Sequence, residues 1–331
     1  MSTANTPTLK EIYQPIESGL AGIDSEILKI LDTPDIFSKQ IIEYFFESRG
    51  KGLRPALCFF GAQLANDPKK IKESIPLAAS LEILHGATLI HDDVIDKASL
   101  RRNRETINSK WGNKVSVLIG DYLYAKSLQA VFLLPKREVY ALFLQTSVEL
   151  CEGEILEIKE QNNLDLTQDL YLKILEKKTA SLLGACLESG GMMAEQSEGV
   201  LLKLREYGRT LGMGFQIIDD CLDFEGTTEE FGKTVGIDCN GGVLTLPIIH
   251  VLGSMPQNER KRLKEILSAT DDEGKFETVK QMVVQNGGVQ YARSIAQEWM
   301  NKAEKALSDL PTSEVKDSLK QILDYVLSRR K

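Results

Sequence analysis

Two acidic triplets with the pattern Asp-Asp-x-x-Asp are the residues of this sequence best suited to chemistry. The first triplet is Asp92, Asp93 and Asp96, and the second is Asp219, Asp220 and Asp223. On a helix, Asp92 and Asp96 lie about 40° apart and point the same way. Carboxylates that close repel each other, and a hard cation such as Mg²⁺, which takes one or two carboxylates plus substrate phosphate oxygens, relieves that repulsion. The spacing therefore indicates a metal-bridged phosphate site.

Both triplets follow apolar stretches, and we expect each to lie at the C-terminal end of a helix. A helix C-terminus carries partial negative charge, so it is an unfavourable place for acids unless cations bind there. A single triplet is explained equally well as a solvated helix end, but the repetition favours a cation site. If the two helices face each other, six carboxylates could hold several Mg²⁺ ions around one diphosphate and stabilise a departing group.

Basic residues near predicted helix ends or breaks could bind the phosphate groups. They are Lys51, Arg54, Arg101, Arg102, Lys178 and Lys233. Arginine matches phosphate oxygens in bidentate fashion and lysine supplies a point charge, although each residue alone is more commonly a solvated surface charge. The doublet at 101 and 102 is the most informative, because it follows the first triplet so closely.

Two histidines lie near the first triplet. His85 falls about 20° from Asp92 on the helical wheel, so it shares the acidic face and is either a neutral phosphate donor or a packing residue. His91 points about 100° away from Asp92, and we assign it a structural role or none.

The elements that must position these side chains are helices, because helical periodicity dominates and no convincing strand pattern occurs. We expect helices over 18–48 and 111–134, a helix capped by Ser74 that leads into the first triplet, and another capped by Thr167. Residues 97–110 look irregular and basic. The sequence therefore predicts one all-α domain over residues 1–331.

Composition restricts the function further. The net charge of −8 makes nucleic acid an unsuitable partner, because phosphate backbones attract basic surfaces. Five scattered cysteines indicate a reducing compartment rather than a disulfide framework. The N-terminus lacks the features of a signal peptide, and no apolar run reaches the ~20 residues of a transmembrane helix. We therefore expect a cytoplasmic protein.

The motifs together resemble those of the trans-isoprenyl diphosphate synthases, or polyprenyl synthetases, over about residues 50–250. The matching segments are Gly50-Lys51-x-x-Arg54-Pro55, His85-x5-His91-Asp92-Asp93-x-x-Asp96, Arg101-Arg102, Gly120-Asp121-Tyr122, Lys178-Thr179, Gly214-Phe215-Gln216-x-x-Asp219-Asp220-x-x-Asp223, Gly232-Lys233-x-x-Gly236-x-Asp238 and Thr245-Leu246-Pro247. The resemblance implies an all-helical bundle around a central cavity, and a homodimer.

The resemblance also implies a role for each matching residue. Asp92, Asp96 and Asp219 would ligate Mg²⁺, with Asp93, Asp220 and Asp223 supporting them. The allylic diphosphate would be bound by Arg101, Lys178, Thr179, Gln216 and Lys233. Isopentenyl diphosphate would be bound by Lys51, Arg54, His85 and Arg102. The six acids, Lys178 and Lys233 would thus be the catalytic group, and the basic end Arg329-Arg330-Lys331 resembles a tail that closes over the second substrate.

The implied reaction is prenyl transfer, in which ionisation of an allylic diphosphate is followed by attack of isopentenyl diphosphate and loss of a proton. Family members that stop early carry bulky aromatics at the positions of Ala87 and Thr88. The small residues here predict a product longer than fifteen carbons, in a range of about thirty to fifty, although small residues could simply allow close helix packing. We expect a peripheral contact with a membrane when such a product is released.

This chain departs from the family pattern at several positions. Gly52 stands where relatives have arginine, and Val243 stands where they have a second lysine. The segment 101–106 lacks the usual glycine and proline, so we expect a less tightly turned loop there. Arg104 is the nearby cation that could replace a missing diphosphate contact.

Three alternative functions fit parts of the pattern. A short-chain farnesyl or geranylgeranyl diphosphate synthase would share every motif. A class I terpene cyclase also ionises an allylic diphosphate, but its second metal motif is usually an Asn/Ser/Glu pattern. A non-catalytic subunit of a heteromeric prenyl synthase would usually have lost acidic motifs, and both are intact here.

Overall fold

The computed structural model describes residues 7–48, 50–225, 239, 241–269 and 274–329, and these ranges are mainly helical, as predicted. The α-helices are α1 (Leu9–Ile12), α2 (Glu17–Ile30), α3 (Ile36–Glu47), α4 (Leu53–Gln63), α5 (Pro68–Glu73), α6 (Ile75–Ile95), α7 (Ile107–Trp111), α8 (Asn113–Phe132), α9 (Arg137–Lys159), α10 (Gln168–Leu175), α11 (Ser181–Met193), α12 (Glu198–Glu225), α13 (Leu246–Ser254), α14 (Gln257–Ser268), α15 (Lys275–Gln285), α16 (Gly288–Leu307) and α17 (Glu314–Leu327). A 3₁₀ turn (Gln14–Ile16) follows α1, and a π-helical turn (Glu176–Ala180) joins α10 to α11. Within the described ranges, none of the helices has both the length and the apolar character needed to cross a membrane.

The first long helix was predicted as one element and is two. The chain leaves α2 after residue 30, and α3 begins behind Asp35, whose carboxylate accepts a hydrogen bond from the Ser38 backbone N–H at 2.7 Å. Pro34, which cannot donate a backbone hydrogen bond, precedes this cap. The break therefore comes from local chemistry that the apolar periodicity alone did not reveal.

The predicted caps at Ser74 and Thr167 have different outcomes. The Thr167 hydroxyl accepts from the Leu170 backbone N–H at 3.3 Å, which confirms that cap. Ser74 stands at the start of α6, but its hydroxyl donates to the Lys70 carbonyl oxygen at 2.8 Å instead of capping the helix. The reason is that Ser74 also ends α5, so it has helical backbone angles.

Residues 97–110, predicted to be irregular, contain a short antiparallel hairpin and helix α7. The strands of the hairpin are β1 (Leu100–Arg101) and β2 (Arg104–Glu105), and Arg101 pairs with Arg104. The Thr106 hydroxyl then caps α7 by accepting from the Ser109 backbone N–H at 3.3 Å. A two-residue strand is too short to give an alternating apolar pattern, so the sequence contained no signal for it.

The helices that carry the acid triplets lie within one contiguous apolar core. Helix α6 packs mainly against α8, while α12 packs against α16 and α11, and α11 also packs against α4. The end of the chain is tied to the same core, because the buried Tyr207 hydroxyl of α12 donates to the Leu319 carbonyl oxygen of α17 at 2.7 Å. Burial of α6 and α12 therefore fixes where both triplets lie.

His91 contacts helix α8, and the structural role assigned to it stays a prediction. Its Nε2 atom lies 3.1 Å from the Val117 carbonyl oxygen of α8. A Cβ atom at Gly120 would lie 2.2 Å from the same Nε2 atom, so any larger residue there would displace the His91 ring. The Gly-Asp-Tyr motif thus serves helix packing at its first residue.

Candidate active site

A cavity of about 1110 Å³ gathers most of the predicted site residues. The predicted residues that line it are Lys51, Arg54, His85, Ala87, Thr88, Asp92, Arg101, Arg102, Lys178, Thr179, Gln216, Asp219 and Asp223. They come from helices α6 and α12, the hairpin, the π-helical turn, the segment that leads into α4 and the first turn of α4. Residues that are far apart in the sequence therefore share one space.

The three acids of the first triplet have different surroundings. Asp92 lines the main cavity, whereas the Asp93 side chain is buried and bound to Arg101. Asp96 ends α6, where its backbone N–H donates to the Asp92 carbonyl oxygen at 2.8 Å. Its side chain lines a smaller cavity of about 120 Å³ that shares Lys178 with the main one.

In the second triplet, too, the first acid lines the main cavity and the middle acid is buried. Asp219 and Asp223 line the main cavity from α12. Asp220 is buried and accepts two hydrogen bonds, one from the Tyr171 hydroxyl at 2.6 Å and one from the Gln216 side-chain amide at 2.9 Å. In each triplet the middle acid holds another side chain, while the first acid is presented to the cavity.

Burial controls the charge of Asp92. Its removal from water raises the pKa of the carboxyl from the ordinary value to about 7, and the charges of Glu154 and Asp96 contribute to the same effect. Lys178 opposes this rise. A carboxylate in such a place is stabilised by a nearby cation, since the opposite charge favours its ionised form.

Lys178 lies in the π-helical turn, a local widening that is frequent at functional sites. Its ammonium group is 2.8 Å from a carboxylate oxygen of Glu154 and also pairs with Glu157, both on α9. Burial lowers the pKa of Lys178, but the carboxylates of Glu157 and Glu154 outweigh it and raise the pKa above the ordinary value. The neighbouring Thr179 hydroxyl donates to the Gln216 side-chain oxygen at 3.1 Å. Lys178 is thus fully charged and held at the cavity wall.

The hairpin that presents the arginine doublet is tight, so the predicted looser loop was wrong. Its two turn residues, Arg102 and Asn103, have φ of 52° and 61°, as in a type I′ turn. Asparagine tolerates this left-handed region well. Arg102 is held there because its Nη1 donates to the Ser48 carbonyl oxygen at 2.6 Å.

A second group of basic residues lines the cavity around the half-buried acid Glu82. Glu82 lies one turn before His85 on α6, and burial raises the pKa of its carboxyl while Arg54 and Arg102 lower it. Burial, followed by the same two arginines, lowers the pKa of His85 well below its ordinary value. The imidazole is therefore neutral, which is the state required of a hydrogen-bond donor that adds no charge.

Gly52 has a conformational reason to replace the arginine of relatives. It is the N-cap of α4 with φ of 64°, in the left-handed region that favours glycine. The adjacent Lys51 extends over the ring of Tyr325 from α17, with its Nζ 5.7 Å from the ring centre. Gly52 thus forms the turn between Lys51 and α4, and both Lys51 and the start of α4 line the cavity.

The other departures from the family pattern have clear surroundings. Val243 lines the smaller cavity, close to Lys178. Arg104 pairs with Glu47 at 2.8 Å and lies over the Tyr44 ring at 4.2 Å, and it does not line either cavity. The expectation that Arg104 supplies a missing diphosphate contact was therefore wrong.

Some predicted residues lie outside the described ranges. Lys233 and its surrounding motif are among them, as are Arg330 and Lys331. Arg329 is described and lines the main cavity, where its Nη1 lies 2.5 Å from Oδ1 of Asp219.

Sequence reasoning missed several polar side chains that contact or adjoin the predicted ones. Among them are Glu82, Glu154, Glu157, Tyr171 and Tyr325. The pair on α9 offered a signal, because residues three apart in a helix share a face. The buried tyrosine offered none, since its hydroxyl meets Asp220 only through tertiary packing.

The ligand chemistry of the site fits a divalent cation that is shared with a phosphate group. Within the described ranges, no three side chains of the types His, Cys, Asp and Glu form a group that could hold an ion. Mg²⁺ typically takes one or two carboxylates and completes its shell with waters and substrate phosphates. Asp92 and Asp219 offer such carboxylates to one cavity, and the Arg329 guanidinium already stands as a cation on the second of them.

Comparison with known proteins identifies the family. The Polyprenyl synthetase family profile matches residues 37–285. The chain belongs to this family. It is 31% identical over 325 residues to heptaprenyl diphosphate synthase component 2 of Geobacillus stearothermophilus, covering 97% of this chain and 99% of the relative. It is 30% identical over 315 residues to the octaprenyl diphosphate synthase of Escherichia coli (strain K12), covering 94% and 96%.

The fold agrees with that of a solved polyprenyl synthetase. The crystal structure of a polyprenyl synthase from Caulobacter crescentus CB15, complexed with calcium and isoprenyl diphosphate, matches with a TM-score of 0.92 at 30% identity, covering 99% of both chains. These comparisons confirm the all-α fold and the prenyltransferase class that the motifs predicted.

Proposed function

We propose that this polyprenyl synthetase condenses an allylic prenyl diphosphate with isopentenyl diphosphate to give an all-trans polyprenyl diphosphate longer than fifteen carbons, in a range of about thirty to fifty. One observation carries the proposal. A single cavity joins the acids Asp92 and Asp219 to the small residues Ala87 and Thr88 of the apolar helix α6. It therefore offers an ionisation site and a path for an apolar tail in the same space.

The metal ligands in this proposal are Asp92, Asp96 and Asp219, and the cation is Mg²⁺. The Caulobacter relative is complexed with calcium and isoprenyl diphosphate, which supports the use of a divalent cation. When bound, Mg²⁺ draws electron density from the diphosphate and stabilises the charge of the leaving group. Asp223 adds a further carboxylate from α12.

The middle acids support the site by positioning other side chains. Asp93 holds Arg101, and Asp220 holds Gln216. The side chains proposed to bind the allylic diphosphate are Arg101, Lys178, Thr179, Gln216 and Lys233. Arginine provides paired N–H groups for the phosphate oxygens, whereas lysine contributes charge.

Isopentenyl diphosphate is bound by Lys51, Arg54, His85 and Arg102. Arg54 and Arg102 are close enough to His85 to lower its pKa, which supports one basic group around this second diphosphate. The neutral imidazole donates a hydrogen bond to it, and the arginines supply the compensating charge.

The reaction proceeds in three steps. The carbon–oxygen bond of the allylic substrate breaks, and its electron pair leaves with the diphosphate. The double bond of isopentenyl diphosphate attacks the allylic cation and forms the new carbon–carbon bond. Loss of a proton from the adjacent carbon, with the released diphosphate as acceptor, restores a double bond. The residues of this chain bind and orient both substrates, and no side-chain nucleophile is required.

The assay that tests the function is incubation of the purified protein with Mg²⁺, farnesyl diphosphate and isopentenyl diphosphate, followed by mass spectrometry of the products. Elongated diphosphates that disappear when the metal is chelated support the proposal, and their length fixes the product. A geranylgeranyl limit would assign a short-chain synthase, a cyclic hydrocarbon a terpene cyclase, and no turnover a non-catalytic subunit.

A homodimer is part of the proposal. Large apolar side chains outside the main cavity are exposed on α8 and α9, among them Leu118 at 67%, as well as Val117 and Val148. Such a surface favours association. Because one relative is named component 2, a different subunit is the alternative partner. Light scattering on the purified chain, with Leu118→Glu as a variant expected to dissociate, distinguishes the two.

The cytoplasmic location and the peripheral contact with a membrane during product release complete the proposal. Fractionation of cells that express the tagged chain tests both. We expect most of the protein in the supernatant and a minor fraction with the membranes.

A further inference from the structure

The last described residue of the chain occupies the acidic side of the cavity. Arg329 follows α17, and its Nη1 donates to Oδ1 of Asp219 at 2.5 Å. The Asp219 carboxylate is one of the proposed metal ligands. The Arg329 guanidinium is therefore bound to an oxygen atom that is proposed to ligate the metal.

The contact is built by two packed helices rather than by a loose tail. The Arg329 guanidinium lies 4.7 Å from the centre of the Phe215 ring, and Phe215 precedes Asp219 by one turn of α12. The side chain of Arg329 is only 12% exposed, against 30% for Asp219. Helix α17 itself is anchored to α12, because Tyr207 donates to the carbonyl oxygen of Leu319. The ring and the carboxylate therefore hold the guanidinium in one place.

The hydrogen bonding of the Arg329 guanidinium is also incomplete, which favours its dissociation from Asp219. The Nε atom of Arg329 is buried and has no hydrogen-bond partner within the described part of the chain. A buried donor without a partner costs free energy, so the guanidinium is not fully satisfied on Asp219. Tyr325, one turn earlier on α17, meets Lys51, so this helix also reaches the basic side of the cavity.

We propose that Arg329 is a built-in counter-cation of Asp219 that competes with the divalent metal. Without metal, the guanidinium neutralises this carboxylate next to the other acids of α12. When a metal binds to Oδ1, the guanidinium is driven off that atom, because two cations on one carboxylate oxygen repel each other. Metal loading is thereby coupled to release of the C-terminal end of α17. This inference rests on the proposed function, since it assumes the metal site.

The test measures metal binding directly, with Mn²⁺ alone as the probe and electron paramagnetic resonance of the free ion as the readout. We expect Arg329→Gln to bind Mn²⁺ about 3- to 10-fold more tightly than the wild type, in proportion to the loss of one partly exposed ion pair. Arg329→Lys keeps a cation and is expected to stay closer to the wild type. Arg293→Gln is the matched control. Arg293 pairs with Glu225, which lies on α12 as Asp219 does, but Arg293 does not line the cavity.

The outcomes separate this inference from the proposed function. Equal or weaker Mn²⁺ binding by Arg329→Gln, or the same increase in Arg293→Gln, overturns the competition. Chain elongation by the wild type together with unchanged affinity in the variant rejects only the role of Arg329. A wild type that binds no Mn²⁺ counts against the metal site itself. Should Arg329→Gln unfold, which circular dichroism would reveal, a wild-type affinity in Arg329→Ala overturns the competition in the same way.

Discussion

Arg101 donates its Nε–H to Oδ1 of Asp93 at 2.9 Å, and its Nη2 atom forms an ion pair with the same oxygen at 2.9 Å. The Asp93 side chain is 4% exposed and that of Arg101 is 34% exposed, so the pair runs from the core to the cavity. It fixes the hairpin onto the end of α6 and aims one cation of the arginine doublet. The second acid of the first triplet therefore acts through an arginine.

Asp93→Asn is expected to lower kcat/KM about 10- to 100-fold, because an amide cannot replace a charge-assisted contact and Arg101 loses its orientation. Steady-state kinetics with the allylic substrate varied provide the measurement. If the pair acts as a unit, Arg101→Gln gives a similar loss and the double variant loses little more. Fully additive losses would contradict the coupling. Asp165→Asn, which breaks a surface pair with Lys264, is the control and should have little effect.

His85 is expected to contribute one neutral hydrogen bond to isopentenyl diphosphate. His85→Gln keeps a neutral donor and should change the KM for this substrate little, whereas His85→Ala should raise it by about 10-fold. Initial rates at saturating allylic substrate check this. Equal KM values for both variants and the wild type would assign His85 to packing alone.

The same histidine makes the stability of the protein depend on pH. Because burial lowers the pKa of His85 in the folded state, the unfolded chain binds a proton near pH 6.5 that the folded protein does not. Stability from this residue is therefore present above that pH and is lost as the pH falls through it. Urea unfolding at pH 7.5 and 5.5 should show an additional loss of about 1 kcal/mol in the wild type compared with His85→Gln. An identical pH dependence in both proteins would count against a neutral buried imidazole.

Ala87→Phe is expected to shorten the product, because Ala87 is buried and lines the cavity on the helix that leads to Asp92. A phenyl ring there would close the path of the growing tail. The readout is the product distribution by mass spectrometry. Val94→Phe, on the same helix but outside the cavity lining, is the control for the added bulk and should leave the distribution unchanged. The same distribution from both variants and the wild type would remove Ala87 from the length determinants.

Gly52→Arg is expected to destabilise the fold although it restores the residue of relatives. The left-handed φ at this position costs a residue with a Cβ atom roughly 1–2 kcal/mol. Space is not the cause, because a Cβ atom there would have no neighbour within 4 Å among the described residues. Gly52→Asn is the comparison, because asparagine tolerates this region better. Thermal unfolding should rank the stabilities as Gly, then Asn, then Arg, and an arginine variant as stable as the wild type would exclude backbone strain.

The sequence by itself determined the helical fold, the two acid triplets and many of the charged residues that line the cavity. Periodicity reports which face of a helix is buried, and an acid at the end of an apolar helix is a local conflict visible without a structure. Thr88 and Asp92 share one face of a single helix, whereas Ala87 was indicated by the resemblance alone. Arg101 was indicated by its position shortly after the first triplet, whereas the role of Lys178 required the resemblance to a family, because its position in the sequence does not bring it near the triplets.

Only the tertiary structure decided which partner each charge would meet. Tyr171 reaches Asp220, Glu157 reaches Lys178, and Arg329 reaches Asp219 across 49, 21 and 110 residues of sequence. No periodic pattern encodes such pairs, since they depend on how separate helices pack. The hairpin turn at Arg102 is similar, because its left-handed backbone is held by Ser48 of another segment. Local residue types thus determined where charge would lie, and packing determined what neutralises it.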